Sequence, residues 1–201
     1  MKKILLALGG LAAVVVLGFG ALVAMQPAHT HVERSRVMAA TPADVFPFAN
    51  DLRLFVSWNP WARLDPSAKI AFSSEQATGP GAWYTWDGND QMGSGKMTID
   101  ATTPNALVTS TLHFATPFEA TAQASFKLAA VDGGTQVTWG FDSDTTLMGK
   151  VMGVFISMDD MLGPDYERGL ANLEPMAVQA AQARLAAEQA PPVEGDGAAA
   201  E

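Results

Sequence analysis

Apolar and polar residues alternate along the middle of the chain, from about residue 69 to residue 142. The clearest case is residues 118–128, where Phe, Ala and Leu alternate with Glu, Thr, Gln, Ser and Lys. This period of two is typical of strands with one buried face. Turn signals such as GPG at 79–81 and Asp132-Gly133-Gly134 separate the six alternating segments. With an earlier strand over Val32–Ala39, the pattern predicts an antiparallel sheet of about seven strands with one apolar side.

Helical spacing flanks this alternating region. Thr41-Pro42-Ala43-Asp44 combines a capping residue, a proline at the first helical position and an early acid, so it predicts a helix start. A second short helix follows through Leu54–Trp58, and both end before Asn59-Pro60. Apolar residues at steps of three and four over residues 147–173 predict a long C-terminal helix that covers the sheet. Gly163-Pro164 is expected to bend or break that helix.

The N-terminal segment has a different pattern, since residues 4–25 are apolar or glycine and carry no charge. At a rise of 1.5 Å per residue, about 22 residues span roughly 33 Å, enough for a bilayer core of about 30 Å. We therefore expect residues 1–25 to hold cytoplasmic lysines and a transmembrane anchor. This would make a single-pass protein of the inner (cytoplasmic) membrane, with the folded domain on the exported side. A cleaved signal peptide ending near Leu22-Val23-Ala24 is the alternative.

The remaining chain divides by composition. Residues 26–31 are interpreted as a stem and residues 32–175 as the folded domain. Residues 176–201 are expected to be a helical extension that fades into a disordered acidic tail, because the end of the chain holds almost nothing to bury.

Composition excludes several classes of function. The chain has no cysteine, which excludes disulfides, thiolate zinc sites and a cysteine nucleophile. Its formal net charge of −9 gives no basic footprint for nucleic acid. The same charge argues against docking on anionic lipid through a basic patch.

Five stretches of the sequence carry a family resemblance: TPADVFPFANDLRLFVSWNPWARLDP, GPGAWYTWDGNDQMGSGKMTI, TPFEATAQASFKL, GGTQVTW and LMGKVMGVFISMDDMLGPDYERGLANL. They resemble the polyketide cyclase/dehydrase-like branch of the START/Bet v 1-like (SRPBCC) superfamily, over residues 32–175. The resemblance implies an α+β helix-grip fold, a curved antiparallel sheet wrapped on a long C-terminal helix, here preceded by the transmembrane helix. It also implies a cavity for lipids, sterols, polyketides or other apolar ligands. Some members are cyclases, and no catalytic motif is shared across the superfamily.

Large apolar side chains on the expected concave face and on the helix are candidates for contact with such a ligand. Methionine adapts its shape to variable apolar partners, although a methionine stripe at helical spacing is also typical of a packed core. The candidates are Trp58, Trp61, Trp86, Met97, Phe114, Phe118, Trp139, Met152, Phe155 and Met158. Trp58 and Trp61 flank a proline at the exit of the short helices. They are interpreted either as a packed plug at the cavity end or as a gate that touches ligand.

Residues suited to catalysis or metal binding are sparse. His29 and His31 fall in the predicted stem, and His113 falls on the polar face of its strand. No Gly-x-Ser-x-Gly elbow is present. The sequence therefore predicts no catalytic residue, no metal site and no cofactor.

These observations favour a membrane-anchored domain that binds or sequesters a small hydrophobic ligand, with the membrane contacted through the N-terminal helix. One alternative is a cyclase- or dehydratase-type enzyme, which would need a titratable residue inside the cavity. The other is a non-catalytic interaction module that uses the acidic tail. The sequence names neither the ligand nor a protein partner.

Overall fold

The computed structural model describes residues 2–73, 75 and 77–190, without the side chains of residues 4–7. This part of the chain contains five helices, a 3₁₀ turn and seven strands. In chain order they are α1 (Lys2–Ala24), β1 (His29–Met38), α2 (Pro42–Asn50), α3 (Leu52–Trp58), the 3₁₀ turn (Pro60–Arg63), β2 (Lys69–Phe72), β3 (Trp83–Asp87), β4 (Ser94–Thr103), β5 (Leu107–Thr116), β6 (Ala120–Val131), β7 (Gly134–Asp144), α4 (Leu147–Gly153) and α5 (Met158–Gln189).

The strands form one antiparallel sheet in the order β1-β7-β6-β5-β4-β3-β2. Strands β2 to β7 form a meander, and β1 joins its far side by pairing with β7, where Val32 lies opposite Phe141. The predicted antiparallel sheet of about seven strands is therefore confirmed. One face of it carries the core, which continues under α2, α3 and α5.

The short helices begin at the capping residues that the sequence indicates. The Thr41 side chain accepts a hydrogen bond from the Asp44 backbone, while the Asp44 carboxylate accepts from the Thr41 backbone, which makes a capping box. Asp51 caps α3 through the backbone amides of Arg53 and Leu54. These caps satisfy amides that have no partner within their helix.

The C-terminal helix differs from the prediction at its start. The chain leaves helical geometry after α4, and Ser157 opens α5 by accepting a hydrogen bond from the Asp160 amide at 3.1 Å. Helix α5 then continues for 32 residues through Pro164 and Pro175, so no break occurs at Gly163-Pro164. The interruption lies earlier, where a serine cap competes with continuation of the helix.

Helix α1 meets the rest of the chain at α4, where the ring centroids of Phe19 and Phe155 lie 6.1 Å apart. A bilayer core of about 30 Å requires about 20 consecutive apolar residues in one helix. Among the described residues, no helix is long and apolar enough to cross a membrane. This finding corrects the predicted transmembrane helix within residues 1–25, the single-pass location in the inner membrane, and the membrane contact through that helix.

The domain boundaries drawn from composition remain predictions. Strand β1 begins at His29, inside the segment interpreted as a stem, and α5 extends to Gln189. The predicted disordered acidic tail falls mainly on residues 191–201, which lie outside the described residues.

Candidate ligand cavity

A cavity of about 230 Å³ lies between the apolar face of the sheet, the α3 end and α5. It is slightly smaller than the range of about 300–1,000 Å³ typical of small-molecule sites. Its walls are mainly aromatic and aliphatic, and no wall residue carries a charged side chain. The walls are formed by Phe55, Val56, Asn59, Trp61, Ala62, Ile70, Tyr84, Trp86, Gln91, Met92, Met97, Leu112, Phe114, Ala124, Trp139, Phe141, Leu162 and Tyr166.

The segment after α3 forms one end of the cavity. The Asn59 side-chain oxygen accepts a hydrogen bond from the Trp61 backbone amide at 2.8 Å, which starts the 3₁₀ turn. Pro60 occupies the first position of that turn, where its missing N–H costs nothing. The Trp61 indole donates to the Asp165 carboxylate of α5 at 2.9 Å. Hydrogen bonds thus hold both the backbone and the indole of Trp61, and its ring lies at the cavity wall.

The Trp139 side chain of β7 is the centre of the aromatic packing. Its ring stacks on Tyr166, with centroids 4.1 Å apart and planes inclined by 11°, and on Phe126 at 5.1 Å. The Trp61 ring meets it edge-on at 5.6 Å. Contacts of this geometry fix ring positions beyond what apolar burial alone achieves. The cavity wall on the α5 side is therefore rigid.

The structure separates the two tryptophans that flank Pro60. Trp58 is fully buried behind the cavity wall, and its indole donates to the Phe48 carbonyl at 3.0 Å. Its ring packs against Phe55 and Trp139 at centroid distances of 5.1 and 5.2 Å. Trp61 is half-buried and lines the cavity. One indole belongs to the core and the other to the wall.

Other predicted ligand contacts divide in the same way. The cavity brings together Trp61, Trp86, Met97, Phe114 and Trp139. Trp86 has room there because Gly95 lies opposite it in β4, where any side chain would meet the indole. The structure does not bring four other candidates to the cavity, and these are Phe118, Met152, Phe155 and Met158.

These four side chains lie in segments whose geometry differs from the predicted periodicity. Phe118 lies between β5 and β6, outside both strands, and is 65% exposed. Because α4 ends at Gly153, the helical spacing that placed Met152, Phe155 and Met158 on one stripe is interrupted. Phe155 is 74% exposed and packs toward Phe19 of α1 instead.

Several residues of the cavity wall were not among the predicted ligand contacts, although the apolar periodicity of the sequence included them. Tyr84 lies two residues before Trp86 on the same face of β3. Phe141 lies two residues after Trp139 on the same face of β7, and Tyr166 belongs to the apolar spacing of α5. Asn59 and Gln91 are polar and lie outside strands and α-helices, so no periodic pattern could identify them.

The cavity offers little acid–base chemistry. Tyr84 and Tyr166 are the titratable groups in its wall, and burial raises the pKa of both hydroxyls. The histidines lie elsewhere: His31 in β1 pairs with Asp142 at 2.7 Å, and His113 in β5 faces Thr121. Within the described ranges, no group of three or more His, Asp or Glu residues is placed to hold a metal ion.

A seven-stranded antiparallel sheet, gripped by a long C-terminal helix around an apolar cavity, defines a helix-grip protein of the SRPBCC superfamily. More specifically, the chain belongs to the family described as polyketide cyclase / dehydrase and lipid transport, whose model matches residues 29–177. No curated protein matches the chain.

Solved structures share this fold at low sequence identity. A protein from Mesorhizobium loti is 16% identical, with a TM-score of 0.53, and the match covers 75% of this chain and 98% of that one. A protein from Rhodobacter sphaeroides is also 16% identical, with a TM-score of 0.54 and coverage of 75% and 93%. At this identity the likeness concerns the fold alone.

Proposed function

We propose that this chain binds a small hydrophobic molecule in the cavity between the sheet and α5. The observation that carries the proposal is an interior space of about 230 Å³ whose walls are aromatic, aliphatic or neutral polar. Apolar surface left facing such a space is stabilised when an apolar ligand replaces water. The family description, which includes lipid transport, supports the same class of function.

The ligand contacts in this proposal come from five of the candidate residues: Trp61, Trp86, Met97, Phe114 and Trp139. Trp61 and Trp139 would form an aromatic corner of the wall, since their rings are fixed edge to face with planes inclined by 74°. Met97 offers a flexible thioether that adjusts to the ligand shape. Trp58 would support this wall from behind without touching the ligand.

The residues of the cavity wall give less support to a cyclase or dehydratase activity. General acid–base catalysis works best with a group whose pKa lies near the operating pH. The titratable groups of the wall are Tyr84 and Tyr166, whose pKa values are raised further above neutrality by burial. Binding without conversion is therefore the function that the wall chemistry favours.

The test uses the full chain and a neutral hydrocarbon, 2-isopropenylnaphthalene, titrated by calorimetry. Ala124 lines the cavity from β6, so Ala124→Leu should fill part of the space and abolish or strongly weaken binding. The matched control is Leu147→Ser on α4, where the side chain is 74% exposed and remote from the wall. Unchanged binding by Ala124→Leu, or binding lost in Leu147→Ser instead, would show that the probe binds outside the cavity.

A further inference from the structure

The Trp61 residue borders a second space besides the ligand cavity. A cleft of about 300 Å³ lies between the 3₁₀ turn and α5, and Trp61 lines both this cleft and the cavity. Its indole is half-buried and donates to the Asp165 carboxylate, which also lines the cleft, at 2.9 Å. Trp61 is therefore a wall common to an apolar interior and to an outer, polar cleft.

The two spaces differ in charge. None of the residues that line the cavity is an Asp, Glu, Lys, Arg or His. The cleft, in contrast, is lined by Arg63, Arg168 and Asp165. Two guanidinium groups against one carboxylate leave a positive excess, in a chain whose formal net charge is −9. Such a local excess in an acidic protein attracts anions to this place on the surface.

The Arg63 side chain is the cation of the cleft that is most available to an anion. It is exposed at the end of the 3₁₀ turn and forms no ion pair with a described residue. Arg168 is paired with Asp165, three residues earlier in α5. A guanidinium group has five N–H donors, so this one pair leaves donors of Arg168 for a second partner. The two arginines can together bind a carboxylate or a similar anion.

An anionic group cannot follow an apolar molecule into the cavity itself. A charge that enters an apolar interior without a partner loses its hydration and gains nothing in exchange, so buried charges are normally paired. In the cleft, water and the arginines both solvate the charge. A molecule with an apolar body and an anionic end would therefore place its body in the cavity and its charge in the cleft.

We propose that the ligand is an anionic amphiphile whose apolar body fills the cavity, whose chain passes the edge of Trp61, and whose carboxylate or similar group binds Arg63 and Arg168 in the cleft. This inference rests on the proposed function and specifies its ligand class. It also gives the Trp61 indole a definite place, at the boundary between the two parts of the ligand. Asp165 is a positioning residue, because it holds the indole and competes with the ligand for Arg168.

The experiment compares 4-(2-naphthyl)butanoate with its primary amide, two probes of nearly equal shape that differ in charge. Calorimetry with the full-length wild-type chain at pH 7 and low salt should show about three- to tenfold tighter binding of the carboxylate, the range of a charge-assisted hydrogen bond at a partly exposed site. This preference should shrink at high salt, because exposed charges are screened.

Three variants test the assigned roles through the ratio of carboxylate affinity to amide affinity. Arg63→Gln removes the unpaired guanidinium and should lower the ratio about threefold. Asp165→Asn keeps a side-chain acceptor for the Trp61 indole but frees Arg168 from its carboxylate partner, and should raise the ratio about two- to fivefold. Lys127→Gln, on β6 and outside the cleft, makes the same change in net charge as Arg63→Gln and should leave the ratio unchanged. Damage to the cavity would not move the ratio in opposite directions.

A fourth variant tests whether the naphthyl group of both probes lies in the cavity. Ala124→Leu fills part of that space and should weaken the binding of both probes. If Ala124→Leu weakens only the binding of the amide, the carboxylate binds in the cleft alone. A ligand that spans the two spaces would then be ruled out.

Failure of this inference differs from failure of the proposed function. Equal affinity of the wild type for the two probes, or a preference that survives in Arg63→Gln, would overturn the anion subsite. The proposed function would stand in that case, provided that amide binding depends on Ala124. Amide binding that is insensitive to Ala124→Leu, or no binding of either probe, would instead contradict the proposed function.

Discussion

Tyr166 of α5 stacks face to face on Trp139 of β7, with ring centroids 4.1 Å apart. This contact joins the long helix to the sheet at the cavity wall. It is possible at so short a distance because Gly169, one turn further along α5, has no side chain toward Trp139. A Cβ atom at Gly169 would lie 2.6 Å from the Trp139 ring and 3.2 Å from Pro60. The glycine therefore sets how closely helix and sheet approach.

Gly169→Ala should destabilise the domain by about 1–3 kcal/mol, the usual cost of overpacking a rigid core. Alanine is intrinsically the better helix former by about 1 kcal/mol, so a loss of stability would have to come from the clash. The neighbours, an indole stacked on both faces and a proline ring, cannot move aside easily. Urea unfolding followed by circular dichroism measures the change.

Gly163→Ala, in the same helix, is the matched control. Its Cβ would meet the guanidinium end of Arg34, which is flexible and can rotate away. Such a movement weakens ion pairs of Arg34 with Asp159 and Glu167 that lie at the surface and contribute little. The expected change is within about 1 kcal/mol in either direction. Equal losses at both glycines would contradict the role assigned to the Gly169 contact.

Substitution of each of the two tryptophans around Pro60 should affect a different property, one the stability of the fold and the other the affinity for ligand. Trp58→Phe removes part of a fully buried ring and leaves the Phe48 carbonyl without its indole donor, so we expect a loss of about 1–3 kcal/mol in unfolding free energy. Trp61→Phe should weaken the affinity for 2-isopropenylnaphthalene by about two- to tenfold, the equivalent of one aromatic contact. Calorimetry and urea unfolding of both variants test the contrast. The assigned roles would be wrong if Trp58→Phe changed the ligand affinity and left the unfolding free energy unchanged.

Much of the fold could be predicted because its elements depend on local patterns. Period-two alternation identified the strands, and the caps at Thr41 and before Pro60 marked the short helices. The Ser157 cap was not predicted, because apolar spacing continues across it and the sequence alone gives no measure of which signal dominates. The N-terminal segment was misjudged in the same way, from apolar composition alone.

The cavity was predictable only in part, for a physical reason. Periodicity tells which face of a strand is buried, and so it found Trp86, Met97 and Trp139. It cannot distinguish a side chain that fills the core, such as Trp58, from one that borders a space. Asn59 was not predicted as a wall residue, since its position depends on a hydrogen bond within an irregular segment.

The Asp44–Arg184 ion pair joins α2 to the end of α5 and should make stability depend on acid pH. The hydrogen bond from Arg184 lowers the pKa of Asp44 from 3.8 to about 2, although burial opposes this shift. Because the folded pKa is depressed, the contribution is present above pH 3.8 and is lost as the pH falls toward 2. Asp44→Asn should cost about 1–3 kcal/mol at pH 7, and the difference from wild type should shrink below pH 3.8 until most of it is lost near pH 2.

The control for that pair is Glu188→Gln, which removes the other carboxylate partner of Arg184. Glu188 lies four residues further along α5 and is largely exposed, with its oxygen 2.9 Å from the Arg184 guanidinium. Exposed pairs at this spacing contribute about 0.3–0.5 kcal/mol. Unfolding curves at pH 7 should therefore separate the two variants. Similar losses in both would show that burial of Asp44 has no special effect.

The edge strand β1 carries a second pH-dependent contact, of opposite sign. The Asp142 carboxylate of β7 lies 2.7 Å from His31 and 3.3 Å from His29. The hydrogen bond to Asp142 raises the pKa of His31 above 6.5, and the nearby Glu33 acts in the same direction. For a group whose folded pKa is raised, the stabilising contribution is complete below pH 6.5 and is lost as the pH rises through the folded value.

Asp142→Asn should therefore reduce stability more at pH 5.5 than at pH 8.5. The substitution should also lower the pKa of His31 toward 6.5, measured by the imidazole proton resonances in an NMR titration. His113, which faces Thr121 at 3.4 Å, is the internal reference because the substitution removes none of its contacts. An equal loss of stability at both pH values would mean that Asp142 acts through packing or neutral hydrogen bonds. In that case the charge pairing between β1 and β7 would make no contribution to holding the edge strand.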